Sequence, residues 1–273
     1  MRNRIISALI LAPPVIGLVI VGGWFMSLLI LVVSSLALWE FAQLSRRAGH
    51  STYPVIMILF MVLFVANWNF PDLKLLAPGI ALLMFAAMAL TLRAFTQGEK
   101  NAITGFALTL AGSFWVGWSL SHYIALRALR PDGLFWTFSV VLAVWSADTF
   151  AQLTGMLIGK GGRKLVPSIS PRKTWRGYVG GIVATTIISG LLPLGWQALG
   201  ATAAVSPVRG LILGALIGGF SVVGDLGISV LKRYAGADDS SNLIPGHGGF
   251  LDRSDTIIIG ALIGYYVLTR LML

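Results

Sequence analysis

The chain has 273 residues, of which 56% are hydrophobic and only 11% charged. Soluble domains carry roughly 25% charged residues, so an ordinary water-facing surface is excluded. The absence of cysteine excludes disulfides, thiolate metal sites and cysteine nucleophiles, and a net charge of +10 in so apolar a chain suits anionic lipids, phosphates and membrane topology better than nucleic acid.

The apolar residues come in unbroken runs of helix length. A bilayer core of roughly 30 Å needs about 20 such residues, whereas a transmembrane barrel would show segments of about ten with a period of two. The pattern therefore predicts an all-α polytopic membrane protein. Nine spans fall near Ile5–Val21, Trp24–Phe41, Pro54–Trp68, Leu75–Leu92, Ile103–Leu126, Leu134–Ile158, Gly177–Leu199, Val208–Leu231 and Thr256–Leu273. Met1-Arg2-Asn3-Arg4 precedes the first run without a small-residue cleavage site after it, which reads as an uncleaved first helix. Alternating from a cytoplasmic N-terminus puts 15 of the 20 Lys and Arg on the cytoplasmic side and leaves Lys74, Arg127, Arg130, Arg209 and Arg270 opposite. That is the bias the positive-inside rule requires, and it puts the C-terminus on the far side of a bacterial-type inner membrane. Residues 1–133 read as about five N-terminal transmembrane helices. Residues 134–273 read as a catalytic region with a polar, cytoplasm-facing cavity and two cytoplasmic polar loops, 159–176 and 232–255.

Two acids lie inside predicted spans: Asp148 in the sixth and Asp225 in the eighth. An aspartate at a helix centre costs about 2.5–3.5 kcal/mol to insert, so each is expected to face a wet cavity, a metal or a partner cation. A simple buried pair with Lys or Ser is the plainer alternative. Ser229 and Lys232 follow Asp225 by four and seven residues, on one helical face, and lead into the second polar loop. There Asp252 and Asp255, three apart, would share a face at the start of the ninth helix. With Asp225 they offer a hard, oxygen-only set suited to Mg²⁺. Gly248-Gly249 lets backbone N–H groups approach a phosphate, with His247 and Arg253 beside it. A flexible loop with an aspartate capping a helix is the competing description.

The first polar loop carries Lys160, Arg163 and Lys164, then Ser170, Arg172, Lys173, Thr174 and Arg176 ahead of a helix N-terminus. Cations and hydroxyls placed there form an anion site, or else fix topology and hold anionic lipid. The Gly-x-x-x-x-Gly-Lys-Ser/Thr pattern of a Walker loop is missing. Glu40, at the cytoplasmic end of the second span, joins a polar cavity or sits at the interface. His50 and His122 read as interfacial or packing residues, and the nine tryptophans as membrane belts and helix packing.

The stretch Ser229–Asp255 resembles the signature of the phosphatidate cytidylyltransferases, the CDP-diacylglycerol synthases. It matches at Ser229, Leu231, Lys232, Arg233, Asp239, Ser241, Ile244, Pro245, His247, Gly248, Gly249, Phe250, Asp252, Arg253 and Asp255. Upstream, Ser170-Pro171-Arg172-Lys173-Thr174-Trp175 is similar to the family's Ser-Pro-Lys-Lys-Thr-Trp segment, and Asp148 and Gly224-Asp225-Leu226 fall where the family has them. Three positions depart from the pattern: Arg176 for Glu, Asp238 for Lys and Ser254 for an apolar residue. The first two reverse charge, one in each loop, which suggests a pair rebuilt with opposite polarity.

The resemblance implies transfer of a cytidylyl group from CTP to phosphatidic acid, giving CDP-diacylglycerol and pyrophosphate, with Mg²⁺ and, as an option, a second cation. Asp225, Asp252 and Asp255 would hold the metal, with Asp148 lining the cavity as a further ligand. Lys232, Arg233, His247 and Arg253 would hold phosphates, as would Lys160, Ser170, Arg172, Lys173 and Thr174 from the first loop, with Ser229 and the Gly248-Gly249 amides alongside. Partners would be CTP, phosphatidic acid and membrane lipids, with a homodimer as an option and no nucleic acid. A CTP-dependent polyprenol or phytol kinase is the nearest competing enzyme, and a transporter of an anionic solute is the competitor from another class.

Overall fold

The computed structural model describes residues 2–159, 161–246 and 248–271, and side chains from residue 9 to residue 270 within those ranges. Lys160 and His247 lie outside the described residues. Among the described residues ten α-helices follow one another: α1 (Arg2–Val21), α2 (Gly23–Arg47), α3 (Pro54–Asn69), α4 (Leu76–Thr96), α5 (Ala102–Gly112), α6 (Ser119–Ala128), α7 (Gly133–Leu157), α8 (Trp175–Ala198), α9 (Pro207–Tyr234) and α10 (Phe250–Tyr266). A π-helical segment, Ser113–Trp118, joins α5 to α6 into one apolar run. Among the described residues six helical runs are long and apolar enough to cross a membrane: α2, α4, α5–α6, α7, α8 and α9. Leu9–Val21 of α1 and α3 are apolar but shorter. The chain is thus an all-α integral membrane protein.

The helices are built for lipid. In α8 the large apolar residues Val179, Val183, Ile187, Leu191 and Leu194 are exposed, while Gly177, Gly181, Thr185, Ser189 and Gly190 are buried. This inverts the soluble pattern, as expected where close backbone packing rather than water drives association. A Cβ on Gly181 would stand 2.9 Å from the Ala147 carbonyl of α7, and one on Gly214 would stand 2.7 Å from the Thr185 carbonyl of α8. Small residues therefore set how closely α7, α8 and α9 approach.

By packing the chain divides into two compact units. Unit 1 comprises Met1–Ile124 and Leu231–Ser254; unit 2 comprises Ala125–Val230 and Asp255–Leu273. The core of unit 1 is built around buried Ile56, Phe60, Phe64 and Ala87, with Phe106, Leu110 and Trp118 packed against it. His122 is fully buried beside Trp68 and Trp118, edge-on to both rings, which fits its reading as a packing residue.

One element departs from the sequence reading. The first polar loop is not irregular throughout: Lys164–Val166 (β1) and Ser170–Thr174 (β2) form an antiparallel hairpin with Lys164 opposite Thr174 and Val166 opposite Ser170. It leads directly into α8, whose N-cap is Thr174, the side-chain oxygen accepting from the Gly177 N–H at 3.1 Å.

Candidate active site

Unit 2 contains a cavity of about 630 Å³ where α7, the hairpin, α8 and α9 meet. Its polar lining comes from Asp148 and Gln152 on α7, Lys164, Ser170, Arg172, Lys173 and Thr174 on the hairpin, and Asp225 on α9. Gln152 stands one turn beyond Asp148, so both project from one face of α7. Cations thus come from the hairpin and carboxylates from the helices.

Within it the Lys173 ammonium contacts Asp225 Oδ2, and Ser229 Oγ donates to Asp225 Oδ1 at 3.2 Å. Asp225 keeps a quarter of its side chain exposed, at 25%. Asp148 Oδ2 accepts from Thr256 Oγ1 at 2.9 Å, and Asp255 Oδ1 accepts from the Thr256 N–H at 2.7 Å. Thr256 therefore ties two of the expected acids together through α10. The contact of α9 with α10 is equally close, since a Cβ on Gly224 would meet the Asp255 carbonyl at 2.1 Å. Ser229 is buried and its hydroxyl supports Asp225. Thr174 lines the cavity, but its hydroxyl oxygen is also the cap of α8.

The second polar segment belongs to unit 1 and is organised around Asp252. Its Oδ1 accepts from Lys232 Nζ at 2.7 Å, and its Oδ2 accepts from the Ser240 N–H and hydroxyl, both at 2.7 Å, and from the Gly249 N–H at 3.0 Å. Its side chain is only 4% exposed. Burial pushes the Asp252 carboxyl up, but the bonds from Lys232, Gly249 and Ser240 outweigh it and hold the carboxyl below its usual range. Both oxygens are thus engaged by protein donors, and the ligand role expected of Asp252 would compete with Lys232. The Gly249 amide, expected to face a phosphate, is spent on Asp252 instead. Gly248 takes a φ of +78°, which favours glycine, and its carbonyl accepts from Ile244 N–H at 2.9 Å, closing the turn.

Arg233 pairs with Asp238 at 3.2 Å, and the Asp238 side chain is 94% exposed. Arg176 donates to the Ile158 carbonyl at 2.9 Å. Arg176 and Asp238 thus each have a partner within their own unit. Arg172, Lys164 and Arg253 present exposed cationic heads.

Glu40 has no assigned role in the sequence pattern, where it joins a polar cavity or sits at the interface. It is one of the most heavily hydrogen-bonded side chains in unit 1, with donors from Ser240, Ser241, Phe250 and Leu251. The available signal was an acid in an otherwise apolar run; its partners 200 residues away were not readable. Thr256 and Gln152 were also missed, although Gln152 lies four residues after Asp148.

Among the described residues no three His, Asp or Glu side chains converge as a ready-made metal site. Mg²⁺, however, takes one or two carboxylates and completes its shell with water and substrate phosphates. Asp225 already attracts a cation, the Lys173 ammonium. The cavity's hard oxygen donors therefore fit a divalent ion.

An apolar helical bundle with acids and a basic hairpin lining one cavity defines a membrane-embedded enzyme of phosphorylated ligands. The profile of the cytidylyltransferase family matches residues 2–271. Phosphatidate cytidylyltransferase of Bacillus subtilis is 33% identical, covering 98% of this chain and 97% of that protein. The Synechocystis protein of the same name is 31% identical over 99% and 97%, and that of Pseudomonas aeruginosa 34% identical over 94% and 93%. The chain belongs to the cytidylyltransferase family and is a nucleotidyltransferase.

Proposed function

We propose that the chain transfers the cytidylyl group of CTP to phosphatidate, releasing pyrophosphate and leaving CDP-diacylglycerol in the membrane. The observation that carries this reading is the lining of the unit 2 cavity, with Asp148 and Asp225 facing Lys164, Arg172 and Lys173. The names of the relatives support the choice of lipid.

The chemistry asks little of a general base. A phosphomonoester carries about −1.5 to −2 charge near neutral pH, so its oxygen is already a nucleophile. That oxygen attacks the α-phosphorus of CTP; the new P–O bond forms as the α–β anhydride bond breaks, and the electron pair leaves on pyrophosphate. The difficulty lies in holding two polyanions together and stabilising the leaving charge. Arg172, Lys173 and Lys164 hold the triphosphate, with Ser170 donating to it. Asp225, kept in place by Ser229, together with Asp148 and Asp255, would hold Mg²⁺, which when bound supplies Lewis-acid neutralisation of the phosphates. Lys173 then passes from Asp225 to a phosphate oxygen. In unit 1, Lys232, Arg233 and Arg253 are the cations of the signature, and Asp252 holds Lys232 in place.

The proposed topology is nine crossings with the N-terminus and both polar segments cytoplasmic, supported by the bias of Lys and Arg along the chain. CTP then arrives from the cytoplasm and the lipid from the inner leaflet. The test uses detergent-purified protein with labelled CTP, phosphatidate and Mg²⁺. Label in lipid together with pyrophosphate, both lost in a folded Asp225→Ala variant, is the expected result. Label transferred only from the γ-position of CTP would replace this reading with a kinase.

A further inference from the structure

Glu40 projects from α2 and is 1% exposed. Its Oε1 accepts from Ser241 Oγ at 2.6 Å and the Phe250 N–H at 3.0 Å; its Oε2 accepts from Ser240 Oγ and the Leu251 N–H, both at 2.8 Å. All five residues lie in unit 1. Phe250 and Leu251 are the first two residues of α10, whose opening N–H groups have no partner within the helix. A helix start is usually satisfied by the side chain of its own N-cap residue. Here that residue is Gly249, which has none, and a Cβ on it would fall 2.2 Å from Glu40 Oε2. Asp252, the third residue of α10, reaches back to the Gly249 N–H, which is half of a capping box. Glu40, from a separate helix, takes the next two N–H groups, those of Phe250 and Leu251.

We infer that Glu40 is a positioning residue for cytidylyl transfer: a cap donated by α2 that fixes the start of α10 and, through Ser240 and Ser241, the segment carrying Asp252 and Lys232. The inference rests on the reading of residues 231–254 as part of the catalytic machinery. Ser240 is the junction, since its hydroxyl lies 2.8 Å from Glu40 and 2.7 Å from Asp252, its single proton shared between the two carboxylates, while its N–H donates to Asp252. Loss of the Glu40 acceptors releases one end of the network that orients Asp252 and, through it, Lys232.

Glu40→Gln keeps volume and shape but cannot satisfy the site. Whichever way the amide is turned, its NH₂ faces one backbone N–H, either Phe250 or Leu251. Purified Glu40→Gln is expected to lose about 10- to 100-fold in kcat, with KM for CTP and for phosphatidate changed less than about threefold. Hydrogen exchange should quicken at the amides of Phe250 and Leu251 and across 240–252, and stay as in the parent protein in α3 and α4. A parent-like kcat with those amides still protected overturns the inference, as does a lowered melting temperature with kcat unchanged, which marks a purely structural acid. If Glu40→Gln does not accumulate folded, Ser241→Ala carries the test: a several-fold fall in kcat supports the inference and an unchanged kcat overturns it. Lys232→Ala separates the two levels. Full activity there removes the reading of the segment as machinery; an inactive Lys232→Ala beside a fully active Glu40→Gln removes the Glu40 inference alone.

Discussion

Lys173, on the last strand before α8, rests its ammonium on the carboxylate of Asp225, 52 residues later on α9. A lysine drawn onto an intramembrane acid pairs a costly charge with its opposite. Under the proposed function, it is the contact that a divalent ion and the phosphates of CTP would exchange.

Asp225→Asn is expected to lower kcat by about 10²- to 10³-fold, the usual scale for removing a principal electrostatic group. Lys173→Met should raise KM for CTP about tenfold or more, yet lower the Mg²⁺ concentration giving half-maximal rate, because the competing ammonium is gone. Initial rates over a grid of CTP and Mg²⁺ concentrations check both. An unchanged Mg²⁺ requirement in Lys173→Met would mean that the lysine and the metal do not share the carboxylate.

Asp252 predicts an acid limb in stability. Its folded carboxyl is held below its usual range by Lys232, Gly249 and Ser240 against the upward push of burial. A depressed folded value means the stabilisation is complete above the unfolded value, near 4, and is lost as pH falls through the folded one. Melting temperature in detergent should therefore hold steady down to about pH 5 and fall below about pH 4. Asp252→Asn should melt lower at neutral pH and show a shallower fall in acid.

Gly249→Ala tests the crowding at the start of α10. The added methyl would meet Glu40 Oε2 and Ser240 Oγ, both at 2.2 Å. Overpacking of this kind typically costs about 1–3 kcal/mol, and here it also parts the Glu40 and Ser240 bonds. Activity should fall with stability, and a melting curve beside a turnover assay shows whether it does.

Arg176 and Asp238 make separate local contacts, so Arg176→Glu and Asp238→Lys should act independently. Each is expected to change activity by less than about fivefold, because exposed charge pairs contribute roughly 0–1 kcal/mol. The double variant should show the product of the two effects. Mutual rescue would restore the idea of a paired reversal.

What could be read in advance followed from cost. Asp148 and Asp225 were readable as cavity residues because a membrane helix tolerates an acid only for a reason. The helices were readable because apolar runs of that length have few other outcomes. The hairpin Lys164–Thr174 was not, since two short charged strands show no alternation. Nor was the work of Asp252: its spacing from Asp255 suggested a shared ligand face, whereas its donors come from Lys232, Ser240 and Gly249 through a turn that sequence does not specify. The local partners of Arg176 and Asp238, the Ile158 carbonyl and Arg233, were not readable from the reversed charges alone.

The cap that α2 lends to α10 changes what counts as a complete piece of this protein. A fragment beginning at α6 would keep every residue of the C-terminal signature, and a motif search would accept it as intact. It would nevertheless lack the carboxylate that seats Phe250 and Leu251 and the α3–α5 core beside it, so co-expression with a segment bearing α2–α5, rather than lengthening of its own C-terminal end, is the expected rescue.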